Sequence, residues 1–169
     1  MKYNKIALIG MMGSGKSTIA KQLAKELGFK LLELDEIFEE QENSTISDYF
    51  KNFGEENFRK IESKILGEAL KKENIILSTG GGVILKKENR DLLFQNNILT
   101  IYLETNVENI YDRIKNDEKR PLLKVKNPKN EIENILNNRI KYYSQAKYKI
   151  NTNDKTIENI IEEIKQWTK

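Results

Sequence analysis

Residues 10–17 read GMMGSGKS and fit the pattern G-x-x-x-x-G-K-[ST]. This pattern is typical of loops that hold phosphate groups with converging backbone N–H groups at a helix N-terminus. The apolar run KIALI precedes the segment, and apolar residues at helical spacing follow it up to Gly28, which is expected to end that helix. The order of strand, glycine turn and helix therefore predicts an α/β fold with a nucleotide site.

The residues of this loop have separate expected tasks. Gly10, Gly13 and Gly15 permit backbone angles and close approach that a Cβ would obstruct. The Lys16 ammonium is expected between the terminal phosphates, and the Ser17 hydroxyl is expected to bind Mg²⁺. The predicted nucleotide-binding residues of the loop are Gly13, Ser14, Gly15, Lys16, Ser17 and Thr18.

The composition narrows the class of protein. A length of 169 residues suits one domain over residues 1–169. The chain has no cysteine and no histidine, which excludes disulfides and zinc–thiolate sites and leaves carboxylates, lysines or less usual groups as general bases. A net charge of +3 from mixed charges gives no sign of nucleic-acid binding. The N-terminus resembles neither a signal peptide nor a membrane span, so we expect a cytoplasmic protein with no membrane partner.

Strand and helix patterns alternate along the chain. Between the strand-like segments, apolar residues recur at helical spacing around 58–70, 107–114 and 157–164. Thr105 with Glu108 predicts a capping box at the start of the second of these helices. This alternation predicts a five-stranded parallel sheet flanked by helices, with ligands at the carboxyl ends of the strands. The predicted strands are 6–10, 29–34, 75–79, 98–103 and 148–151.

Two segments fit the alternation poorly. Residues 35–54 are rich in acidic and aromatic side chains, and we expect them to begin a substrate-binding segment that extends to about residue 62. Residues 116–130 are polar and contain both prolines of the chain, so we expect them to form a lid.

Polar residues after the strands suggest an acceptor site. Glu33 and Asp35 stand at alternate positions, which would direct both carboxylates the same way from an extended segment. Three glycines at 80–82 follow the third strand and favour close backbone approach to a ligand. The chain has only five arginines against 24 lysines. The planar guanidinium of arginine can donate two parallel hydrogen bonds to a carboxylate, which the ammonium of lysine does not match.

In their order and spacing these motifs resemble the shikimate kinases, a branch of the phosphate-loop enzymes related to nucleoside monophosphate kinases. The resemblance implies an ATP- and Mg²⁺-dependent kinase that phosphorylates the 3-hydroxyl of shikimate on the route to chorismate and aromatic amino acids. It also implies a monomer.

The resemblance assigns roles by position. It implies that Asp35 contacts the substrate hydroxyls and acts as base, and that Arg120 in the lid reaches the phosphates. Arg113 would pack on adenine, and Glu33 would help to hold Mg²⁺, although the family usually has Asp there. The residues that would hold shikimate are Asp35, Arg59, Gly80, Gly81, Gly82 and Arg139.

Other readings stay open at this point. Asp35 could cap a helix that begins near Ile37, Arg90 has no assigned role, and Tyr142 and Tyr143 are expected to be packing residues. A gluconate kinase or a nucleoside monophosphate kinase would share the loop, although residues 35–54 contain no arginine for a second phosphate-bearing substrate. A non-catalytic nucleotide switch or a nucleic-acid-binding ATPase is the alternative from a different class.

Overall fold

The computed structural model describes residues 2–115 and 125–168. The strands are β1 (Lys5–Ile9), β2 (Lys30–Glu33), β3 (Ile75–Ser78), β4 (Leu99–Glu104) and β5 (Tyr148–Asn151). The helices are α1 (Lys16–Leu27), α2 (Leu34–Glu42), α3 (Ile46–Leu70), α4 (Lys87–Leu93), α5 (Val107–Ile114), α6 (Pro128–Tyr143) and α7 (Ile157–Thr168). A 3-10 turn, Val83–Leu85, precedes α4.

The five strands form one sheet in the order β2-β3-β1-β4-β5, and every neighbouring pair is parallel. The predicted fold class is therefore confirmed, with strand ends shifted by a residue or two. β1 ends at Ile9 because Gly10, at φ +149°, already turns into the phosphate loop. The carboxyl ends of β1, β2 and β3 lie side by side, which brings the polar residues that follow them to one edge of the sheet.

The sheet has an apolar core on each face because alternate residues of its strands point to opposite sides. Ala7 and Ile9 of β1 belong to the core beneath α2 to α6, whereas Ile6 and Leu8 belong to the core beneath α1 and α7. Gly28 ends α1 in the left-handed conformation at φ 67°, as predicted.

Three local predictions are wrong. β2 ends at Glu33, and Asp35 lies in the first turn of α2, so the two carboxylates do not share an extended segment. Asp35 is also not the helix cap, because Glu33 occupies that position. The residue that caps α5 is Asn106, which accepts a hydrogen bond from the backbone N–H of Asn109, so the predicted capping box does not form. The Thr105 hydroxyl instead pairs with that of Thr152 at 2.7 Å.

The two irregular segments differ from the expectation in their details. Residues 35–54 fold as α2 and the beginning of α3, which kinks at Gly54 with φ 77° and ψ 168°. Residues 128–130 of the predicted lid form the first turn of α6, capped by Asn127. Most of the predicted lid, including Arg120, lies outside the described residues. Of the helices in the described ranges, none combines the length and the apolar character that crossing a membrane requires.

Candidate active site

The phosphate loop joins β1 to α1 through glycines in left-handed conformations. Gly13 has φ 73° and Gly15 has φ 92°, which L side chains rarely adopt. A Cβ on Gly13 would lie 2.7 Å from Cγ2 of Ile114, so α5 packs directly against the loop. The backbone conformation that the motif predicts is therefore present, and it opens at the N-terminus of α1.

The Lys16 side chain is 8% exposed and folds back over the loop. Its ammonium donates hydrogen bonds to the carbonyl oxygens of Gly10 at 2.9 Å and Met11 at 2.8 Å. A buried cation is thereby held at the opening of the loop, where it can act on an anion.

Ser17 and Glu33 form the part of the site that suits a metal ion. The Ser17 hydroxyl donates to Oε2 of Glu33 at 2.6 Å and lies 3.4 Å from the hydroxyl of Ser78. Hydroxyl and carboxylate oxygens are ligands of the kind that Mg²⁺ prefers, and kinases usually combine one or two carboxylates with phosphate and water. The described residues contain no cluster of three or more acidic, cysteine or histidine ligands. A kinase site in which phosphate and water supply the other ligands of Mg²⁺ does not need such a cluster.

A cleft of about 270 Å³ connects the loop to the acidic residues. Glu33 and Asp35 both line it, although they come from a strand end and a helix. The tertiary fold thus brings the two carboxylates together, although not through the extended segment that their alternate positions predict. The cleft is lined by Met12, Gly13, Gly15, Lys16, Ser17, Thr18, Glu33, Asp35, Ser78, Thr79 and Gly81.

Arg59 lies on α3 between two glutamates of the same helix. Its guanidinium contacts Oε1 of Glu55 at 3.1 Å and Oε2 of Glu62 at 2.7 Å. The Arg59 and Glu62 side chains are only 12% and 4% exposed, so this pair is shielded from water. Because buried charges hold their geometry when they are paired, the Glu62 contact fixes the direction of the guanidinium.

Glu62 was not singled out from the sequence, although its position three residues after Arg59 on one helix face could have indicated the pair. Burial raises the pKa of the Glu62 carboxyl, and the nearby charge of Asp35 acts in the same direction, while Arg59 lowers it. Its second oxygen, Oε1, makes no hydrogen bond within the described part of the chain.

The glycine triplet lies where these side chains meet. A Cβ on Gly82 would be 2.2 Å from Nη2 of Arg59, and one on Gly80 would be 3.1 Å from Oδ1 of Asp35. A Cβ on Gly81 would be 3.6 Å from Nη1 of Arg139. The missing side chains therefore allow an acid and two arginines to approach one stretch of backbone.

The other arginines occupy different surroundings. Arg113 is exposed on α5 and donates to the carbonyl oxygen of Gly13 at 3.1 Å, beside the phosphate loop. Arg90 donates to the carbonyl oxygens of Ile84 and Leu85 at 2.7 and 2.9 Å, and its guanidinium lies 4.3 Å from the Tyr142 ring. Arg90 therefore ties the 3-10 turn to α4 and α6.

A phosphate-binding loop and an acidic group on one cleft, with two arginines at its edge, define the class of phosphate-loop small-molecule kinases. The model of the family described as shikimate kinase matches residues 12–169. The shikimate kinase of Persephonella marina is 41% identical over 159 residues, covering 94% of this chain and 95% of the relative. That of Clostridium botulinum is 44% identical over 163 residues, covering 96% of each.

A solved structure is also similar. The shikimate kinase of Acinetobacter baumannii in complex with shikimate is 35% identical, with a TM-score of 0.92 over 98% of this chain and 93% of that one. The chain therefore belongs to the shikimate kinase family, and it is an ATP-dependent kinase.

Proposed function

We propose that this protein transfers the γ-phosphoryl group of ATP to the 3-hydroxyl of shikimate, giving shikimate 3-phosphate and ADP. The observation that carries the proposal is the shared cleft, in which Lys16 of the phosphate loop and the carboxylate of Asp35 line the same space. A group that binds phosphate and a group that can accept a proton are thereby close enough to act on one pair of substrates.

The reaction is an in-line transfer in which Asp35 accepts the proton of the attacking hydroxyl. Lys16, together with Arg120 of the lid, offsets the negative charge that spreads over the transferring group. Ser17 and Glu33 would hold Mg²⁺, which supplies charge neutralisation at the phosphate oxygens when it is bound. Glu33 is one methylene longer than the Asp usual in the family, so we expect its contact to differ in geometry.

Shikimate carries one carboxylate and three hydroxyls, and the substrate side offers a partner for each kind of group. Arg59 and Arg139 present planar guanidinium forks that suit a carboxylate. Asp35 suits a hydroxyl, and the triplet Gly80, Gly81 and Gly82 lets the substrate approach the backbone closely. The buried Arg59–Glu62 pair supports this assignment, because it holds the fork in one orientation without the substrate.

Arg113 packs on adenine, and Gly13, Ser14, Gly15 and Thr18 bind the phosphates. Residues 1–169 form one domain with a substrate-binding segment at about 35–62 and a lid at about 116–130, whose closure excludes water. The protein acts as a cytoplasmic monomer without nucleic-acid or membrane partners.

The first experiment measures ADP release with ATP and Mg²⁺ in the presence of shikimate, gluconate, a panel of nucleoside monophosphates, or no acceptor. Strong stimulation by shikimate alone is expected. Stimulation by gluconate or a nucleotide would overturn the substrate assignment, and turnover that no acceptor changes would favour a nucleotide switch.

The second experiment tests the proton acceptor with Asp35→Asn. We expect kcat to fall by about a hundredfold or more, since a positioned base contributes about that factor, while ATP binding is retained. Glu36→Gln is the matched control, because Glu36 is the exposed neighbour in the same helical turn. Near-normal kcat in Asp35→Asn would remove Asp35 as the base.

A further inference from the structure

Tyr143 lies at the C-terminal end of α6 and is completely buried. Its hydroxyl donates a hydrogen bond to the carbonyl oxygen of Gly81 at 2.6 Å. Gly81 is the central residue of the glycine triplet, 62 positions away in the chain. The sequence suggested only packing for this tyrosine, but its polar end reaches the substrate side of the cleft.

Arg139 lies near this hydroxyl, since its charge acts to lower the pKa of Tyr143. Arg139 precedes Tyr143 by four residues on α6, so both side chains lie on one face of the helix, and Nη1 of Arg139 lies 3.6 Å from where a Cβ of Gly81 would be. A phenol can accept one hydrogen bond while it donates another. Tyr143 can therefore accept from the guanidinium and donate to Gly81, joining two of the groups assigned to the substrate.

The ring of Tyr143 is held in place from the sheet. It stacks on the ring of Tyr102 in β4, with centroids 5.0 Å apart and planes at 10°. Tyr102 is itself buried in the middle of the strand, at 1% exposure. Because both rings are enclosed, the hydroxyl has a fixed position relative to the sheet and the 3-10 turn.

Burial keeps this hydroxyl protonated. It raises the pKa of Tyr143 to about 12, although the neighbouring Arg139 acts in the opposite direction. The group thus remains a donor across the pH range in which a kinase is ordinarily assayed.

We infer that Tyr143 is a positioning residue for shikimate, which aligns the Arg139 guanidinium with the Gly81 backbone through one shared hydroxyl. The inference rests on the proposed function, because it assumes that Arg139 and Gly81 bind the substrate. It assigns Tyr143 no contact with ATP and no part in proton transfer. Its removal should therefore weaken shikimate binding and spare the chemistry.

The test is Tyr143→Phe, which removes the hydroxyl and keeps the stacked ring. We expect the KM for shikimate to rise about tenfold, the order expected for losing the hydrogen bonds of one hydroxyl, with the KM for ATP and kcat within about twofold. Tyr102→Phe is the matched control, because it removes the hydroxyl of the stacked partner and leaves the Arg139 and Gly81 contacts in place. It should leave all three parameters unchanged.

Equal changes in both KM values, or none, would overturn the inference. The variant Arg139→Lys distinguishes a failure of the inference about Tyr143 from a failure of the proposed function. A higher shikimate KM in Arg139→Lys together with normal kinetics in Tyr143→Phe would reject only the role of Tyr143. Unchanged shikimate KM in Arg139→Lys would reject the substrate site itself.

A second variant covers the case in which Tyr143→Phe does not fold. Replacing Tyr143 with 3,5-difluorotyrosine keeps the ring and hydroxyl but makes the phenol more acidic. The shikimate KM of this variant should rise with pH as the donor is lost, while that of the wild type does not. A flat profile in both proteins, across the pH range in which the absorbance of the fluorinated phenol shows that it loses its proton, would reject the inference.

Discussion

The nucleotide side and the substrate side of the cleft are built in different ways. The nucleotide side comes from one continuous segment, in which the backbone of residues 10–17 and the buried ammonium of Lys16 surround the N-terminus of α1. The substrate side combines single side chains from α2, α3 and α6 with the backbone after β3.

The two sides of the cleft are therefore sensitive to different mutations. A loop held by its own glycine conformations depends on a few local dihedral angles. An acceptor site assembled from distant elements depends instead on contacts among its side chains, such as the buried pair of Arg59 and Glu62. We therefore expect mutations on the nucleotide side to reduce the chemistry, and mutations on the substrate side other than at the base Asp35 to change acceptor binding selectively.

Lys16→Met should have the largest effect. It removes the cation at the opening of the phosphate loop, so kcat should fall by about a thousandfold, while shikimate binding measured at equilibrium stays within about twofold. Lys25→Met is the matched control, since Lys25 is exposed near the end of the same helix. A large loss of shikimate affinity in Lys16→Met would show that the two sides are not separate.

Gly82→Ala should have an intermediate effect confined to the substrate side. The backbone there is ordinary, at φ −96°, but the new Cβ would lie 2.2 Å from Nη2 of Arg59 and displace that guanidinium. We expect the KM for shikimate to rise about tenfold, as for a lost charge-assisted hydrogen bond, with the KM for ATP unchanged.

Gly67→Ala on α3 is the control for this substitution, because nothing lies within 4 Å of its Cβ position. Its kinetics should match the wild type, and the free energy of unfolding should not fall. An unchanged shikimate KM in Gly82→Ala would mean that Arg59 does not bind the substrate in the position it occupies here.

The smallest effect concerns the pH dependence of the stability, which reports the buried carboxyl of Glu62 on the substrate side. Burial raises the pKa of Glu62 above its ordinary 4.5, so the native protein binds this proton more tightly than the unfolded chain does. The contribution of Glu62 to the free energy of unfolding should therefore be fully present below about pH 4.5 and decline as pH rises through the native pKa.

Denaturant unfolding of the wild type and Glu62→Gln across pH 4 to 8 would measure this contribution. The stability of the wild type relative to Glu62→Gln should decrease as pH increases. Glu55→Gln, which alters the exposed partner of Arg59, should retain the wild-type slope. If the difference in free energy of unfolding between the wild type and Glu62→Gln stayed constant with pH, the pKa of Glu62 would not be raised in the native protein.

Much of the fold could be predicted from sequence because its signals are local. The apolar segments located all five strands, and Gly28 marked the end of α1. The wrong predictions concern the residues just before α2 and α5, because several neighbouring residues there could act as the helix cap. Asn106 caps α5 in place of Thr105, whose hydroxyl pairs with Thr152 from the β5–α7 connection.

The amino-acid sequence was enough to identify the phosphate loop, since its glycines and lysine act through backbone angles and neighbours within eight residues. It also supplied Asp35, Arg59 and Arg139 as candidates. The burial of the Arg59–Glu62 pair and the hydrogen bond from the Tyr143 hydroxyl to Gly81 depend on the tertiary structure. Both arise because α3, α6 and the end of β3 pack together, and a pattern among neighbouring residues does not indicate which elements pack.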